Sequence, residues 1–463
     1  MTTSKQDNLD TNLSNNSFSW LNKYAKAYPI NGDSVKVLKE PSEFYEELIK
    51  GAKTSEKRIV MSALYLGTDE KEDKLVKTIE NSLKSKDLEV SFLFDFCRGS
   101  RGQINSRTSL LPLLEKYSEN VKVSLFHSPL LRGVFKKCLG ERFNEVVGLQ
   151  HTKVYVFDDT VVLSGANLST EYFKKRQDRY VVFEKCQELA DYFENLVGAI
   201  SSFSYSLNSK NEVEFSLECP ENPIDGNFEK FAEFAKTKIE QVDFIKQINY
   251  KESFDTLVYP TVQIGCLGIK NDQVLTSELL KRFKNDSKVT ITTAYFNLTE
   301  EYSNFVANAK YKSDIIIASP EANGFLGSSG PSGYIPSTYI KVTQLFRDLL
   351  LQKKRLEDIN IFEYKRPEWT YHAKGIWYQK NNESLPSLTV LGSSNFGYRS
   401  IYRDIESQVT IVTSNAKLQK SFNEERLAIL KHSQIVSDKT FKQNRYRVPF
   451  FINYIANFLK HYL

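Results

Sequence analysis

The sequence predicts an α/β protein of two similar halves, each an αβα sandwich, with one shared site on the pseudo-twofold axis between them. Two observations support this prediction. Short β-rich runs recur in the same order along the chain, and two copies of one polar motif occupy matching places in that order. Strands that alternate with helical patterns are typical of a sheet covered by helices. A chain of 463 residues is also long enough to bury two cores.

The clearest repeated strand ends on a tyrosine in both halves. Residues 57–65 (KRIVMSALY) match residues 288–295 (KVTITTAY), and a Leu/Lys-rich helical segment precedes each of them. A second buried strand follows at 90–96 and at 314–319. Internal similarity at such a long spacing indicates a duplicated fold.

The repeat divides the chain into five regions. We expect a polar N-terminal tail at 1–39, a first half at 40–205, a connecting segment at 206–255, a second half at 256–436, and a basic and apolar C-terminal tail at 437–463. The first residues carry Lys5 as their only basic side chain, which indicates neither a signal peptide nor an Arg-rich transit peptide. The sequence contains no run of about 18 apolar residues, so we predict no membrane-spanning helix.

The same polar motif occurs once in each half. His-x-Lys stands at 151–153 and at 372–374, and each copy leads into a hydrophobic strand. After a turn, a second strand closes in a small-residue elbow that ends at Asn167 in the first half and at Asn395 in the second. Because 62 of the 463 residues are Lys or Arg, one His-x-Lys pair alone carries little weight. The prediction depends on the shared order of motif, strands and elbow.

Histidine, lysine and asparagine in this order suit chemistry at phosphorus. Positions i and i+2 of a strand point to one face, so we expect His151 to project with Lys153, and His372 with Lys374. Lysine and amide groups neutralise the non-bridging oxygens of a phosphate. One imidazole then attacks phosphorus while the other serves as acid and base, and a histidine pKa of about 6.5 suits both roles.

An acid follows each elbow asparagine after eleven residues, at Asp178 and at Glu406. A carboxylate bound to the far ring nitrogen of a histidine fixes its tautomer and strengthens it as a nucleophile. We therefore expect these acids to support the two histidines, with an ordinary surface position as the alternative.

The first copy of the motif resembles the HKD signature of the phospholipase D superfamily. His151, Lys153 and Asp158 match the motif, and 165–167 match its downstream element. In the second copy Gln379 occupies the position of the acid. The resemblance implies that this acid lies beside the site as a support, so its loss leaves the pair of histidines intact.

Within that superfamily the chain is similar to the eukaryotic phosphatidylglycerophosphate synthase family, which also tends to lack the second acid. The similar stretches lie at 62–67, 98–102, 142–158, 163–180, 318–325, 332–336 and 371–406. The resemblance implies transfer of phosphatidyl from CDP-diacylglycerol to sn-glycerol 3-phosphate through phosphatidyl-histidine, with release of CMP, in phosphatidylglycerol and cardiolipin biosynthesis. It also implies a peripheral place at the mitochondrial inner membrane. We expect His151, whose half holds the complete motif, to be the nucleophile, and His372 to be the acid and base.

The implied acceptor carries a dianionic phosphate, which requires cations beyond the two lysines. Guanidinium groups bind phosphate through two parallel hydrogen bonds. The candidates are Arg98, Arg101, Arg107, Arg176, Arg179, Arg399 and Arg403. The chemistry needs no cofactor, although a divalent cation could assist the diphosphate donor, and no His/Cys/Asp/Glu spacing typical of a metal site is present.

Three other functions are compatible with the same motifs. A phospholipase D-type hydrolase would pass the group to water. A nucleic-acid phosphodiesterase would require a basic groove lined with aromatic side chains, which a net charge of +5 does not favour, so we expect no nucleic-acid partner. A scaffold that only binds acidic lipid would not need two intact motifs.

Two segments mix apolar and basic side chains, at 130–137 and at 448–463. Segments of this composition lie in a lipid interface or pack on the protein, and the sequence leaves both interpretations open. Because the implied donor is a lipid, we expect a membrane surface among the partners.

Overall fold

The computed structural model of the chain describes residues 18–133, 147–242, 254–328, 330–381 and 383–462. These residues form two large mixed sheets and one two-stranded ladder that joins them. Parts of the predicted N-terminal tail (1–17), of the connecting segment (243–253), of the stretch at 142–158 and of the interfacial segment at 130–137 lie outside the described residues.

The strands are short and apolar. In chain order they are β1 Tyr28–Ile30, β2 Val35–Leu38, β3 Arg58–Ser62, β4 Glu89–Asp95, β5 Val121–Phe126, β6 Val154–Phe157, β7 Thr160–Ser164, β8 Arg176–Gln177, β9 Tyr180–Phe183, β10 Tyr205–Leu207, β11 Val213–Phe215, β12 Thr256–Ile264, β13 Ile269–Lys270, β14 Lys288–Thr293, β15 Lys312–Ala318, β16 Ile359–Tyr364, β17 Thr370–Tyr371, β18 Gly375–Gln379, β19 Leu388–Gly392, β20 Ile405–Thr413 and β21 Ser433–Ile435.

The helices connect and cover these strands. They are α1 Pro41–Thr54, α2 Glu70–Leu83, α3 Phe96–Gly99, α4 Ser106–Lys116, α5 Gln187–Ser201, α6 Phe228–Val242, α7 Asn271–Arg282, α8 Glu300–Asn308, α9 Ile335–Gln352, α10 Tyr398–Tyr402, α11 Ala416–Lys431, α12 Asp438–Phe441 and α13 Phe450–Leu459. Helix α1 illustrates the local signals: a capping box of Glu40 and Glu43 and a proline at its first position define where it begins. No described helix is long and apolar enough to cross a bilayer.

The two large sheets repeat the same strand order, which confirms the predicted duplication. The order β10-β5-β4-β3-β6-β7-β9-β2 in the first half corresponds strand for strand to β21-β16-β15-β14-β18-β19-β20-β12 in the second. Three neighbouring strands are parallel in each sheet: β3, β4 and β5 in the first, and β14, β15 and β16 in the second. The strands that follow the motifs, β6 and β18, are antiparallel to β3 and β14.

Alternating side chains along the strands divide the interior into three cores. In β3, Ile59 and Met61 pack in the first-half core with α1, α2 and α4, whereas Val60 packs in a core that both halves share. In β15, Ile315 packs in the second-half core with α7, α8 and α9, and Ile316 packs in the shared core. Helices α5, α6 and α11 also contribute to the shared core, so a common apolar interior holds the halves together.

The folded structure extends beyond the predicted halves. Of the predicted N-terminal tail, β1 pairs with β12 of the second sheet and β2 pairs with β9 of the first, so residues from 18 to 39 belong to the fold. Of the predicted connecting segment, β11 completes the first sheet and α6 packs in the shared core. The sequence gives weak signals here because β1 and β2 are short and sit in a polar stretch.

Candidate active site

The two His-x-Lys motifs lie at the same edge of their sheets. Val154, at the start of β6, pairs with Ser62 at the end of β3, and Gly375, at the start of β18, pairs with Thr292 near the end of β14. Both motifs therefore stand beyond the carboxyl ends of parallel strands, where α/β sheets commonly place their sites. The motif residues immediately precede the strands rather than lying in them.

Backbone hydrogen bonds attach each motif to the opposite half. The N–H of His151 donates to the carbonyl of Ile405 (2.9 Å), and the N–H of His372 donates to the carbonyl of Gln177 (2.7 Å). The second bond extends the β8–β17 ladder between the halves. Ile405 and Gln177 directly precede the two predicted acids, so each histidine is brought to the acid of the other half.

The two acids contact the histidines crosswise. Nδ1 of His151 lies 3.0 and 3.1 Å from the carboxylate oxygens of Glu406, and Nδ1 of His372 lies 2.7 Å from Oδ2 of Asp178. An ionised carboxylate only accepts hydrogen bonds, so Nδ1 carries the proton and Nε2 of each ring keeps its lone pair. The sequence indicated these acids, but not their exchange between the halves.

Both lysines of the motifs are buried next to their histidines. Nζ of Lys153 donates to the carbonyl of His151 (2.7 Å). Nζ of Lys374 donates to the carbonyl of His372 (2.5 Å) and lies 2.7 Å from Nδ1 of that ring. Because Nδ1 uses its proton toward Asp178, the contact with Lys374 is electrostatic and opposes a positive charge on the ring.

Burial sets the ionisation of this cluster. It lowers the pKa of His151 and of His372 well below the usual value, and the lysine of the same motif acts in the same direction. Burial raises the pKa of Asp178 to about 6 and raises the pKa of Glu406. It lowers the pKa of Lys374 to about 8. At pH 7 the site thus combines neutral imidazoles with an ionised Asp178 and a charged Lys374.

The elbow asparagines follow β7 and β19, the strands that pair with β6 and β18. Oδ1 of Asn167 accepts from the N–H of Leu64 (3.3 Å), and Oδ1 of Asn395 is buried without a partner among the described residues. The first elbow has no room for a side chain at Gly165, because a Cβ there would stand 2.6 Å from Oδ1 of Asp178 and 3.0 Å from Cδ of Lys374. A larger residue would displace the acid and the lysine together.

Aromatic side chains that the sequence did not single out as site residues surround His372. The hydroxyl of Tyr172 lies 3.3 Å from Nε2 of His372. The ring of Tyr295 packs edge-on against the same histidine, with the ring centroids 5.8 Å apart. Tyr339 stacks on Tyr295 at 5.6 Å. The sequence signal that could have indicated Tyr295 as a site residue is the tyrosine at the end of both repeated strands. The side chain of His372 is 4% exposed, whereas that of His151 is 12% exposed.

Each half also holds one ion pair after its elbow, with the charges in reversed order. Arg176 pairs with Glu171 at 2.7 Å, and Arg399 pairs with Asp404 at 3.2 Å. Counted from the elbow asparagine, positions 4 and 9 are Glu and Arg in the first half but Arg and Asp in the second. A site with pseudo-symmetric histidines therefore has an asymmetric distribution of charge.

Two of the predicted substrate-binding arginines serve the fold instead. Arg179 is fully buried, forms two hydrogen bonds of 2.9 Å with Glu425 of the second half, and lies 3.8 Å over the ring of Trp377. Nε of Arg107 donates to Asn211 in the β10–β11 turn (3.0 Å). Arg179 follows Asp178 directly, and alternation in an extended segment turns neighbouring side chains to opposite faces. That periodicity was the signal that could have excluded Arg179.

The remaining candidate arginines lie on segments around the motifs. The guanidinium of Arg98 lies 4.1 Å over the ring of Tyr65, the first-half counterpart of Tyr295. That of Arg403 lies 4.3 Å over Tyr462. Arg101 is half-buried just after α3. These three stay candidates for contact with substrate.

Asp158, the third residue of the first motif, is not a catalytic residue in this structure. It follows β6 at the end remote from His151 and accepts from three backbone N–H groups, those of Glu56, Lys57 and Arg58, at 2.8, 2.9 and 3.0 Å. Gln379, its counterpart, donates to the carbonyl of Ser384 (2.8 Å). Both residues stabilise a turn, which explains why the acid can be replaced in the second half.

One group of metal-type ligands occurs among the described residues. His151, Asp404 and Glu406 place donor atoms within 4.8 Å of one another. Oδ1 of Asp404 already accepts from the N–H of Leu149 (3.0 Å) and from Arg399, and Glu406 binds Nδ1 of His151. Hydrogen bonds and ion pairs account for the cluster, and a reaction without a metal stays a prediction.

Comparison with known proteins identifies relatives over nearly the full length. A protein of Gallus gallus is 40% identical over 481 residues, which cover 96% of this chain and 86% of the relative. A protein of Homo sapiens is 39% identical over 480 residues, with the same shares covered. Both are named CDP-diacylglycerol–glycerol-3-phosphate 3-phosphatidyltransferase, mitochondrial. No protein-family model matches the chain.

A solved structure shares the fold. The phosphatidylserine synthase of Haemophilus influenzae Rd KW20 superposes with a TM-score of 0.73, covering 98% of this chain and 99% of that one at 20% identity. The fold and the site thus define a duplicated α/β protein with one histidine from each half at its centre. Identity of 40% over nearly the whole chain shows the family: the chain belongs to the CDP-diacylglycerol–glycerol-3-phosphate 3-phosphatidyltransferase family, as the sequence resemblance predicted.

Proposed function

We propose that this chain transfers the phosphatidyl group of CDP-diacylglycerol to sn-glycerol 3-phosphate, which yields phosphatidylglycerophosphate and CMP. The observation that carries the proposal is its membership of a family named for this reaction. The site supports it, because neutral histidines from the two halves and two buried lysines converge where a phosphate diester could bind.

In the first step, Nε2 of His151 attacks the phosphorus that bears diacylglycerol, and the bond from that phosphorus to the CMP oxygen breaks. Glu406 holds the Nδ1 proton and stabilises the positive charge that develops on the ring. No hydrogen bond engages Nε2 of His151 among the described residues, whereas Nε2 of His372 faces the Tyr172 hydroxyl. This difference supports His151 as the nucleophile.

In the second step, His372 acts as the base. Its pKa is lowered by burial and by Lys374, so it is neutral and able to accept a proton. The departing CMP needs little proton donation, because the second pKa of a phosphate monoester is about 6. Nε2 of His372 takes the proton of the sn-1 hydroxyl, the hydroxyl oxygen attacks phosphorus, and the bond from phosphorus to His151 breaks. Loss of the proton from His372 to solvent restores the site.

We assign the acceptor phosphate to Arg176. Its guanidinium lies 4.4 Å over the ring of Tyr172, whose hydroxyl contacts His372, so the base and the cation are one side chain apart. Nε of Arg176 donates to Thr370 (2.9 Å), which fixes its direction. Its ion-pair partner Glu171 is 67% exposed, so an incoming phosphate can replace it.

We further propose that the enzyme works as a peripheral protein of the mitochondrial inner membrane and needs no cofactor. The name "mitochondrial" of the chicken and human relatives supports the compartment. Attachment at the surface suits a chain whose donor lies in a bilayer and whose acceptor is dissolved in water.

The test is an assay of the purified protein with CDP-diacylglycerol in mixed micelles, with and without glycerol 3-phosphate. CMP release that requires glycerol 3-phosphate, with phosphatidylglycerophosphate as product, would support the transferase. Phosphatidic acid formed without regard to the acceptor would make the protein a hydrolase. No turnover of this donor would contradict the proposal and direct the search to nucleic-acid diesters or to a binding role.

A further inference from the structure

The C-terminal helix α13 turns its larger apolar side chains outward. We call the outward set the aromatic face, and it consists of Phe450, Phe451, Tyr454, Ile455 and Phe458. Phe450, Tyr454 and Phe458 are 75%, 71% and 64% exposed, whereas Ile452 and Ala456 on the other side of the helix are buried. A continuous exposed patch of this kind marks an interaction surface rather than an ordinary solvated helix.

Both ends of α13 touch elements that carry site residues. At its start, the ring of Phe451 meets Tyr334 at 5.0 Å, next to helix α9, whose Tyr339 stacks on Tyr295 at 5.6 Å. Just beyond its end, the ring of His461 meets Tyr398 at 4.2 Å, in the short helix α10 that also contains Arg399. Helix α13 therefore lies against the helices that carry Tyr339 and Arg399, and not on a remote surface.

The charge of the surrounding segment is of one sign. Residues 439–462 contain five basic residues, Lys439, Lys442, Arg445, Arg447 and Lys460, and no Asp or Glu. Arg445 is paired with Glu321 at 2.7 Å, while Lys442 and Arg447 are exposed. Aromatic side chains flanked by cations match the interface of a bilayer that contains anionic lipid, where rings enter the headgroup layer and cations meet phosphates.

We propose that the aromatic face of α13 is the surface by which this protein docks on an anionic lipid bilayer, so that the donor lipid enters the site from the adjoining membrane. The inference rests on the proposed function, because a diacylglycerol donor resides in a bilayer. The occupant is the bilayer rather than a second copy of the chain, since the basic flanks of two copies would repel each other across such a contact.

The experiment uses the full chain and a variant with Phe450→Ser, Tyr454→Ser and Phe458→Ser. These side chains are mostly exposed, so the substitutions leave the packed side of α13 intact. A matched control carries Leu217→Ser, Val274→Ser and Leu427→Ser, which replace exposed apolar residues on other surfaces. Flotation with substrate-free phosphatidylcholine vesicles containing about 30 mol% cardiolipin measures binding. Circular dichroism checks that all three proteins are folded.

We expect the α13 variant to bind the vesicles roughly tenfold or more weakly than the unchanged chain and the control. Its turnover of CDP-diacylglycerol in vesicles should fall in parallel, while turnover of a water-soluble short-chain donor should stay within about twofold. Vesicle binding by the variant equal to that of the unchanged chain would overturn docking at this face.

The remaining outcomes separate the two proposals. Loss of vesicle binding in the variant, when no protein turns over CDP-diacylglycerol, would support the docking surface and contradict the proposed function. If light scattering shows that the unchanged chain is a dimer and the variant a monomer, with vesicle binding unaltered, the face is a contact between two copies and the docking proposal is wrong.

Discussion

The two halves agree in the residues at the centre of the candidate active site and differ in those that surround it. Each contributes a histidine, a lysine and an acid in the same arrangement, and the acids are exchanged across the pseudo-twofold axis. Around this centre, the first half places Tyr172 against His372, while the corresponding position in the second half is Ser400, whose hydroxyl accepts from the N–H of Asn395 (3.1 Å). Duplication thus supplied the chemistry, and divergence made the two sides unequal.

The reversed ion pairs extend that difference. Arg176 lies over Tyr172 near His372, whereas at the equivalent position of the second half Asp404 pairs with Arg399. Burial and Asp404 act in opposite senses on the pKa of Arg399, and the net shift raises it. A symmetric site would present the same charges to both substrates. The asymmetric charges therefore predict that each half serves a different substrate and a different step of the reaction.

The largest expected effect comes from removing the charge of each supporting acid. Glu406→Gln and Asp178→Asn should each lower kcat by roughly 10²–10⁴-fold, because the neutral amide no longer stabilises the charged ring. Rapid quenching should show that Glu406→Gln slows the first release of CMP, and that Asp178→Asn leaves a first burst of CMP but slows transfer to the acceptor. Loss of the same step in both variants would contradict a division between the halves.

Replacement of the two arginines should separate the substrates. Arg176→Ala should raise the KM for glycerol 3-phosphate by roughly 10–100-fold with a smaller change for the donor, because a charge-assisted bond to phosphate is lost. Arg399→Ala should act mainly on the donor. Steady-state kinetics with each substrate varied in turn measures the split, and Arg176→Lys should recover part of the affinity. An acceptor KM that is unchanged in Arg176→Ala would exclude this assignment.

The pH profile of kcat/KM should be bell-shaped. As pH falls through about 6, Asp178 is protonated and no longer supports His372; as pH rises through about 8, Lys374 loses its charge and no longer neutralises the phosphate. Each limb should approach a tenfold change per pH unit. Lys374→Arg, which keeps its charge, should move the basic limb upward. A basic limb that does not move would show that another group titrates there.

The smallest effect distinguishes the third positions of the two motifs. Asp158→Ala should lower the free energy of unfolding by about 1–3 kcal/mol, because three backbone N–H groups lose a charged acceptor. Gln379→Ala should cost about 1 kcal/mol or less, since one hydrogen bond is lost. Denaturant unfolding measures both, and neither variant should change KM. A large loss of kcat in folded Asp158→Ala would contradict this structural role and show that Asp158 contributes to catalysis.

Much of this architecture could be predicted because the same order of strands and motifs occurs twice in the sequence. The repeated order of strands and motifs indicated the duplicated fold, and the residues at the motifs and elbows meet at one edge of the sheets. The crossed contacts could not be predicted, because Asp178 follows His151 in the same half by only 27 positions. The β8–β17 ladder and the backbone hydrogen bonds of Ile405 with Leu149 and His151 bring each acid to the other half.

The arginines show a second limit of the sequence. Arg176 and Arg179 stand three positions apart in one extended segment, yet one lies near His372 and the other is fixed between Glu425 and Trp377. Composition cannot separate them, because both are suited to phosphate. The alternation of faces does separate them, because positions i and i+3 of an extended segment lie on opposite faces.

The most direct test of this account is to trap the covalent intermediate. His372→Ala should be mixed with CDP-diacylglycerol labelled in the phosphatidyl phosphorus, without acceptor, and the protein should be analysed for bound label. We expect one burst of CMP and an acid-labile label on His151, with no label in His151→Ala. Label in His151→Ala, or a burst in neither variant, would contradict His151 as the nucleophile and the proposed division between the halves.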